Sequence, residues 1–412
     1  MNTNPDESLS LARPHPSGVR PLQKAALALG SVALLCLLIS LGSQPGLQVT
    51  LVVLATLSGL TAGALWYNRG VAGWMTGVFI SGFYICLYWY PEPLAGLISI
   101  LDPLSVFLRG RPADQWFLYG FSYTLLVLAM GIRFMYKYRG NAYQQWRTVS
   151  VMFFQLVFSF LIPAWMMMMN QPEFYFSYFW PLKYEYLFPD TVGWFTGNYA
   201  RTGVFLVFWG AVMSFIAVPL LTWYFGKRWY CSWVCGCGAL AETVGDPYRS
   251  LSDKSLGAWK VERWMIHSVL LIIVLLTLLL WINSREQGTI LGSYSLIFSK
   301  TYSFLIGSMF SGVIGTGFYP IFGSRVWCRF GCPQAAIMGI IQRRWSRFRI
   351  TTNGGQCISC GNCSEYCEMG IDVKSYAQRG EDIVRASCVG CGICSAVCPR
   401  GVLKLENGTV SL

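Results

Sequence analysis

Eight cysteines near the C-terminus are spaced for redox chemistry. Cys357, Cys360, Cys363 and Cys367 form one C-x2-C-x2-C-x3-C run, and Cys388, Cys391, Cys394 and Cys398 form a second. Thiolates at this spacing hold iron–sulfur cubes: three close sulfurs wrap one cube, and a short turn sends the fourth to its neighbour. The pattern therefore predicts two [4Fe–4S] sites. One takes Cys357, Cys360, Cys363 and Cys398; the other takes Cys388, Cys391, Cys394 and Cys367. Gly361, Gly390 and Gly392 permit the tight turns that aim backbone N–H groups at sulfide. Pro399 ends the second run as the pattern requires. Glu368 stands where the first run would have proline, a departure that would loosen that turn or change the local field. A zinc ribbon or a disulfide framework fits less well, because zinc sites use pairs of cysteines rather than two such quartets.

Five further cysteines lie in two stretches, Trp229-Tyr230-Cys231-Ser232-Trp233-Val234-Cys235-Gly236-Cys237 and Trp327-Cys328-Arg329-Phe330-Gly331-Cys332-Pro333. Both contain aromatic-Cys-x3-Cys, and both follow basic residues, Lys227-Arg228 and Arg325. Their likeness suggests an internal repeat of a helix plus a cysteine pair. Cys231, Cys235, Cys328 and Cys332 could hold another metal centre or form a redox-active thiol site. Cys237 is a spare, and the choice within Cys231, Cys235 and Cys237 is open. Cys36 and Cys86 lie in apolar runs and read as small packing residues. His15 and His267 are the two histidines of the chain. That excludes a bis-histidine haem relay and histidine-rich copper or di-iron sites, so no haem is expected.

The elements that must position these cysteines are mostly membrane helices. The chain has 412 residues, of which 54% are hydrophobic and 12% charged, about half the charge of an ordinary soluble domain. Apolar segments of spanning length recur near residues 25–41, 47–66, 71–90, 115–135, 149–169, 203–225, 264–282 and 302–322. Residues 94–108 are apolar but interrupted by Pro93, Asp102 and Pro103, which suits an interfacial or re-entrant segment. With both termini in the cytoplasm, inside segments carry 25 of the 31 Lys and Arg residues and outside loops carry Arg109, Arg111, Lys183, Arg201, Arg285 and Lys300. This bias supports an even number of spans and puts every cysteine cluster on the cytoplasmic side. The outer loop from Asn170 to Arg201 is unusually aromatic and could lie on the bilayer, dock a partner or cover a quinone pocket.

The expected fold is mainly α: a polytopic membrane helix bundle of about eight spans with a small C-terminal α+β two-cluster ferredoxin domain. Four regions follow: a cytoplasmic tail at 1–24, N-terminal membrane helices at 25–198, membrane helices with the two Cys-x3-Cys motifs at 199–349, and the ferredoxin domain at 350–412. The basic stretch Gln342–Arg349 joins the last helix to that domain, either as ordinary inside-flanking charge or as a hold on anionic headgroups or an acidic partner.

The paired motifs Cys231/Cys235 and Cys328/Cys332-Pro333, followed by the run from Cys357 to Cys398, resemble the NapH/NosR/CcoG-type integral membrane polyferredoxins. The resemblance covers roughly Tyr199 to the C-terminus. It implies an inner-membrane electron-transfer protein; some members connect quinol with periplasmic reductases and others serve metalloenzyme maturation. Two departures stand out. Gly236-Cys237 follows Cys235 where the family has proline, and no outer loop is long enough for the periplasmic flavin domain of the NosR branch. Ser58-Gly59-Leu60-Thr61 resembles that branch's flavin-attachment setting but lies in an apolar helix and reads as packing.

The expected function is to relay electrons between the ferredoxin domain and the membrane, through a quinone pool or a partner reductase. The chain would be a carrier or oxidoreductase subunit rather than a stand-alone enzyme. A maturation factor that reduces a metal or thiol on a client enzyme is the alternative; a redox-linked transporter fits less well, because the helices lack paired internal charges. Expected partners are membrane lipid, a reductase or a ferredoxin or flavoprotein, and a quinone; nucleic acid is not among them. Glu92, Asp102, Glu173, Glu185, Glu242 and His267 are candidate proton-exchanging groups for a quinone, none with diagnostic spacing.

Overall fold

The computed structural model describes residues 21–40, 47, 51, 54, 55, 57–59, 61, 62 and 70–408. Residues 1–20 of the expected tail, with His15, lie outside the described residues, as does much of the second expected span.

Among the described residues, five helices are long and apolar enough to cross a membrane. They are α5 (Gln115–Lys137), α6 (Ala142–Met168), α7 (Pro189–Phe225), α10 (Leu256–Arg285) and α11 (Tyr294–Gly317). Two more helices of 20 residues, α1 (Pro21–Ser40) and α2 (Gly70–Trp89), overlap the first and third expected spans. Residues 94–108 form two short helices, α3 (Ala95–Ile100) and α4 (Asp102–Arg109). Neither is long enough to cross. Helix α7 is not one straight rod. It bends at Ala200, where φ is +43°, and Gly203 packs directly on the Phe195 carbonyl across the bend. Only the part after the bend matches the expected span. Phe205, Phe208, Phe215, Leu271, Leu275 and Leu278 are exposed on the outer faces of α7 and α10, as helices bathed in lipid require.

The aromatic loop after α6 differs from its expectation. It folds back into the molecule instead of presenting its rings to lipid or a partner. Phe174, Phe179, Tyr184, Tyr186 and Phe188 are buried. Phe179 meets Tyr230 edge-on at 5.6 Å, and Phe176 meets Trp209 edge-on at 5.1 Å and lies stacked over Tyr230 at 6.5 Å. The Trp180 amide donates to Ser214 Oγ at 2.9 Å and its indole N–H to Thr277 Oγ1 at 3.1 Å, so the loop wedges between α7 and α10. Irregular backbone at this depth is tolerated because protein, not lipid, surrounds it.

After α7 the chain makes two similar corners. The first runs through α8 (Arg228–Cys231) into α9 (Gly236–Thr243); the second through α12 (Tyr319–Phe322) and α13 (Val326–Phe330) into α14 (Pro333–Trp345). The C-terminal unit then opens with β1 (Phe348–Thr352) and closes with β2 (Leu403–Asn407), an antiparallel pair in which Phe348 faces Asn407 and Thr352 faces Leu403. Between them lie α15 (Asn362–Glu365), α16 (Val373–Arg379) and α17 (Ile393–Ala396). This unit is not tethered by a free linker. One apolar core joins Phe179, Met213, Tyr230 and Met338 of the helical part to Phe348, Ile350, Ile371, Val389 and Leu403.

Candidate iron–sulfur sites and their setting

The two terminal cysteine runs cross over in the structure. Cys357, Cys360, Cys363 and Cys398 line one cavity, and Cys367, Cys388, Cys391 and Cys394 line another. Each encloses about 370 or 360 Å³ of non-protein space, mouth included. Backbone drives the arrangement. Gly361 and Gly392 take φ of +83° and +73° and start the one-turn helices α15 and α17 that carry Cys363 and Cys394. Backbone N–H groups then point at sulfur: Ile371 N–H at Cys367 Sγ (3.4 Å), Ser364 N–H at Cys363, Gly390 N–H at Cys388. Burial pushes the Cys363 thiol up to about 12 and the Cys388 thiol up to about 11. Buried thiols packed so closely suit a metal cluster, whose positive charge favours thiolate.

The two cavities are related by a pseudo-symmetry but have opposite surroundings. Ile358 and Val389 occupy equivalent places in their runs, yet Ile358 is 54% exposed and Val389 1%. Ser359 and Gly390 are likewise equivalent, with φ of +59° and +63°. Ser359 has room, whereas a Cβ at Gly390 would press on Arg228 and Phe348, so glycine is required there. The second run is held by side chains of the helical part. Lys227 Nζ donates to the Ala386 carbonyl (3.1 Å), Gln342 Nε2 to Cys388 (2.8 Å), Ser232 Oγ to Val389 (2.8 Å), Tyr143 Oη to Gly390 (2.9 Å) and Gln144 Nε2 to Cys391 (2.8 Å). Five donors from α6, α14 and the first corner thus grip one cysteine loop. The first cavity is lined by residues of the C-terminal unit, from Cys357 to Leu403.

The Cys-x3-Cys pairs share one local geometry. Phe225-Gly226 and Phe322-Gly323 precede them, with φ of +69° and +93° at the glycines. Cys235 N–H donates to the Tyr230 carbonyl at 2.8 Å, and Cys332 N–H to the Trp327 carbonyl at 2.9 Å. The second cysteine of each pair has extended backbone and caps the helix that follows, α9 or α14. Cys231, Cys328 and Cys332 are buried and lie within electrostatic reach of one another. Burial raises the thiols of Cys231, Cys328 and Cys332. Cys235 goes the other way: the Cys237 thiol donates to it and, with the Gly238 and Cys237 amides, outweighs burial and pulls it down to about 7. Three buried thiols beside one of lowered pKa form a donor set that a thiophilic cation would satisfy. Cys237 itself is exposed.

Between this quartet and the second cavity lies a buried ion network that sequence reasoning missed. Glu368, at the expected proline position, is 0% exposed. Its carboxylate meets Arg249 Nη1 at 2.6 Å and Arg325 Nε at 3.0 Å. Glu242 pairs with Arg147, Arg249 and Arg325. Although burial opposes ionisation of Glu242, the three guanidiniums hold its carboxyl well below the usual carboxylate range. Asp246 extends the chain to Arg249 (2.8 Å) and Lys137 (2.7 Å). Counted as inside-flanking charge in the sequence, Arg147, Lys227, Arg249 and Arg325 are in fact among the most buried side chains described. The basic stretch before β1 divides similarly: Gln342, Ser346 and Phe348 are buried, while Arg343 and Arg344 are exposed.

The other candidate acids are dispersed. Glu242 is locked in the network, Asp102 Oδ1 accepts from the Ala113 amide at 2.7 Å, and Glu185 pairs with Lys183 at 2.7 Å. Glu173 lies 3.8 Å from Arg111, Glu92 is exposed, and His267 Nδ1 lies 2.6 Å from the Arg263 carbonyl. Cys36 packs against the core around Tyr84 and Val313, and Cys86 is half-buried. Gly59 rests against Phe318, in keeping with a packing role for its stretch, of which Leu60 lies outside the described residues.

Comparison with known proteins bears on the same cysteines. A family described as "4Fe-4S dicluster domain" matches residues 356–403. A second, "4Fe-4S binding domain", matches twice, over residues 207–257 and 305–353, which are the two repeats. These segments contain every clustered cysteine. An Escherichia coli (strain K12) chain named "Putative electron transport protein YccM" is 30% identical over 178 residues, which is 40% of this chain and 47% of that one. The chain thus spans about half the length of this curated relative. No solved structure matches. Both the paired motifs and the terminal runs are therefore similar to [4Fe–4S]-binding segments of known iron–sulfur proteins.

Proposed function

We propose that this chain is a multi-pass membrane polyferredoxin of the NapH/NosR/CcoG type that relays electrons between a cytoplasmic partner and the membrane. In this reading Cys357, Cys360, Cys363 and Cys398 hold one [4Fe–4S] cluster, and Cys388, Cys391, Cys394 and Cys367 the other. Cys231, Cys235, Cys328 and Cys332 hold a third metal or redox centre. When bound, such clusters supply one-electron exchange. The chain's own residues supply the rest: a face open to a partner around Ile358, a fixed seat for the second run, and apolar helices that keep the seat at the membrane. The single observation that carries the reading is that seat, in which five side chains of the helical part hold the carbonyls of Ala386, Cys388, Val389, Gly390 and Cys391.

The relative's name, an electron transport protein, agrees with this reading. About eight spans, both termini in the cytoplasm and an inner-membrane location complete it, resting on the charge bias of the loops. A quinone pool and a partner reductase are its natural electron exchange partners.

The test is iron and acid-labile sulfide per purified chain, with EPR after dithionite and after a quinol analogue. About twelve irons are expected, eight from the terminal runs and four from the quartet, with signals that also develop under quinol. An iron-free chain that still folds would remove the proposal. A second reading, thiol or metal reduction on a client enzyme during its maturation, is favoured by the Cys237–Cys235 contact, which keeps one thiolate available near pH 7. Eight irons, no response to quinol and a thiol at Cys235 that reacts with an alkylating probe would select it.

A further inference from the structure

We infer that the buried cluster of Arg147, Arg249, Arg325, Glu242 and Glu368 is a latch that holds the second terminal cysteine site in register with the Cys-x3-Cys quartet, Glu368 being the ferredoxin unit's half and Arg325 the contact shared by both sites. The inference rests on the proposal that both cysteine sets bind metal.

Its geometry is specific. Arg325 lies three residues before Cys328. Its Nη1 donates to the Cys231 carbonyl at 3.1 Å and lies 3.8 Å from Cys328 Sγ, so one guanidinium touches both Cys-x3-Cys pairs. The Nε of that same group meets Glu368, the residue after Cys367. Oxygens of Glu242 and Glu368 and the Cys391 sulfur lie within 4.8 Å of one another, which puts the network against the second site. Arg147 adds a further link: it donates to Gln144 Oε1 (2.6 Å), whose amide holds the Cys391 carbonyl. Ser252 Oγ fixes the Glu368 carbonyl at 2.6 Å. The pseudo-equivalent of Glu368 in the first site is Pro399, which is exposed and bonds to none of this. The equivalent of Arg325 in the first repeat is Arg228. It also reaches the ferredoxin unit, over the Phe348 ring and to Asn407 Oδ1 at 3.1 Å, but it meets no carboxylate there. Glutamate thus replaces proline at a cysteine-flanking position that meets two arginine guanidiniums, and a planar fork with two carboxylates is the pairing that fixes orientation as well as distance.

A double-mutant cycle on the full-length, metal-loaded chain tests this, with Glu368→Gln, Arg325→Gln and the pair. Three quantities are read: iron and sulfide per chain, the rate of tryptic cleavage between Arg343 and Arg349, and the midpoint potentials of the two ferredoxin sites by EPR. Each single variant is expected to raise cleavage about tenfold, and the double variant no further than the faster single, because either change already removes the shared contact. Glu368→Gln is expected to raise the potential of one ferredoxin site only, lowering its oxidised-to-reduced ratio about tenfold at a given ambient potential, or about 59 mV for one electron, since a negative charge beside Cys367 is lost. Arg325→Lys keeps the charge but not the fork, so it should match Arg325→Gln in cleavage. Multiplying effects in the double variant, unchanged cleavage in both singles, or equal potential shifts at both sites would overturn the latch. If the glutamine variants fail to accumulate, Glu368→Asp and Arg325→Lys carry the same cycle. A wild-type chain without iron would instead reject the metal proposal, and the cleavage cycle would still decide whether the latch exists.

Discussion

At the scale of single residues, the internal repeat decides which thiols matter. Cys235 and Cys332 each donate an N–H to the aromatic carbonyl five residues back and each cap a helix, whereas Cys237 sits one step inside α9, where the other repeat has Gln334. The choice the sequence left open is thereby narrowed: Cys235→Ala and Cys332→Ala should each remove about four irons per chain, and Cys237→Ser should remove none. Iron analysis of the three purified variants checks this, and equal loss on Cys237→Ser would count against the repeat assignment. Glu242 invites a second prediction. It balances three buried guanidiniums, and removing one partner from a buried ion set costs about 3–5 kcal/mol because the rest stay desolvated. Glu242→Gln should therefore unfold at a markedly lower temperature in detergent, while Glu185→Gln, half-buried beside Lys183, should barely change it.

At the scale of elements, much of the site was legible and some was not. Cysteine spacing singled out the two terminal runs because the ligands of such clusters are spaced locally. The long helices were legible because lipid demands continuous apolar runs. The network was not, since its members are far apart in sequence: Arg147 and Arg325 look like ordinary flanking charge, Glu242 stood out only as a candidate proton-exchanging group, and Glu368 only as a departure at a proline position. The aromatic loop misled for a related reason: rings that suit lipid also suit a protein interior, and composition does not distinguish them. One overlooked signal was present, the Phe-Gly-x-Arg that precedes each Cys-x3-Cys. Its glycines have positive φ, and the space beside them is taken: a Cβ at Gly226 would lie 2.7 Å from the Phe348 ring, and one at Gly323 would collide with Ser252. Gly226→Ala and Gly323→Ala should each destabilise the chain by about 1–3 kcal/mol, read as a lowered thermal midpoint. Gly110→Ala, at a positive φ with open space around it, should cost less.

At the scale of the whole molecule, the asymmetry of the two terminal sites orders them in space. The second is sunk into the helical part, with Val389 buried and five carbonyls held; the first presents Ile358 and Pro399 to the surroundings. Reagents that attack clusters from water must reach sulfide or iron, and a loop whose backbone is already paired opens only when the unit lifts off its seat. Iron release by ferricyanide with a chelator should therefore be biphasic, with about four irons lost quickly from the first site and the remainder slowly. Mutating the seat should collapse the difference without touching a ligand. Ser232→Ala with Gln342→Ala frees the carbonyls of Val389 and Cys388 and should speed the slow phase while leaving the fast one alone. Site-selective EPR during the release identifies which signal fades first. Loss of the Cys388–Cys394 signal first would mean that the buried loop is the labile one, and the order of the two sites, from partner face to membrane, would have to be reversed.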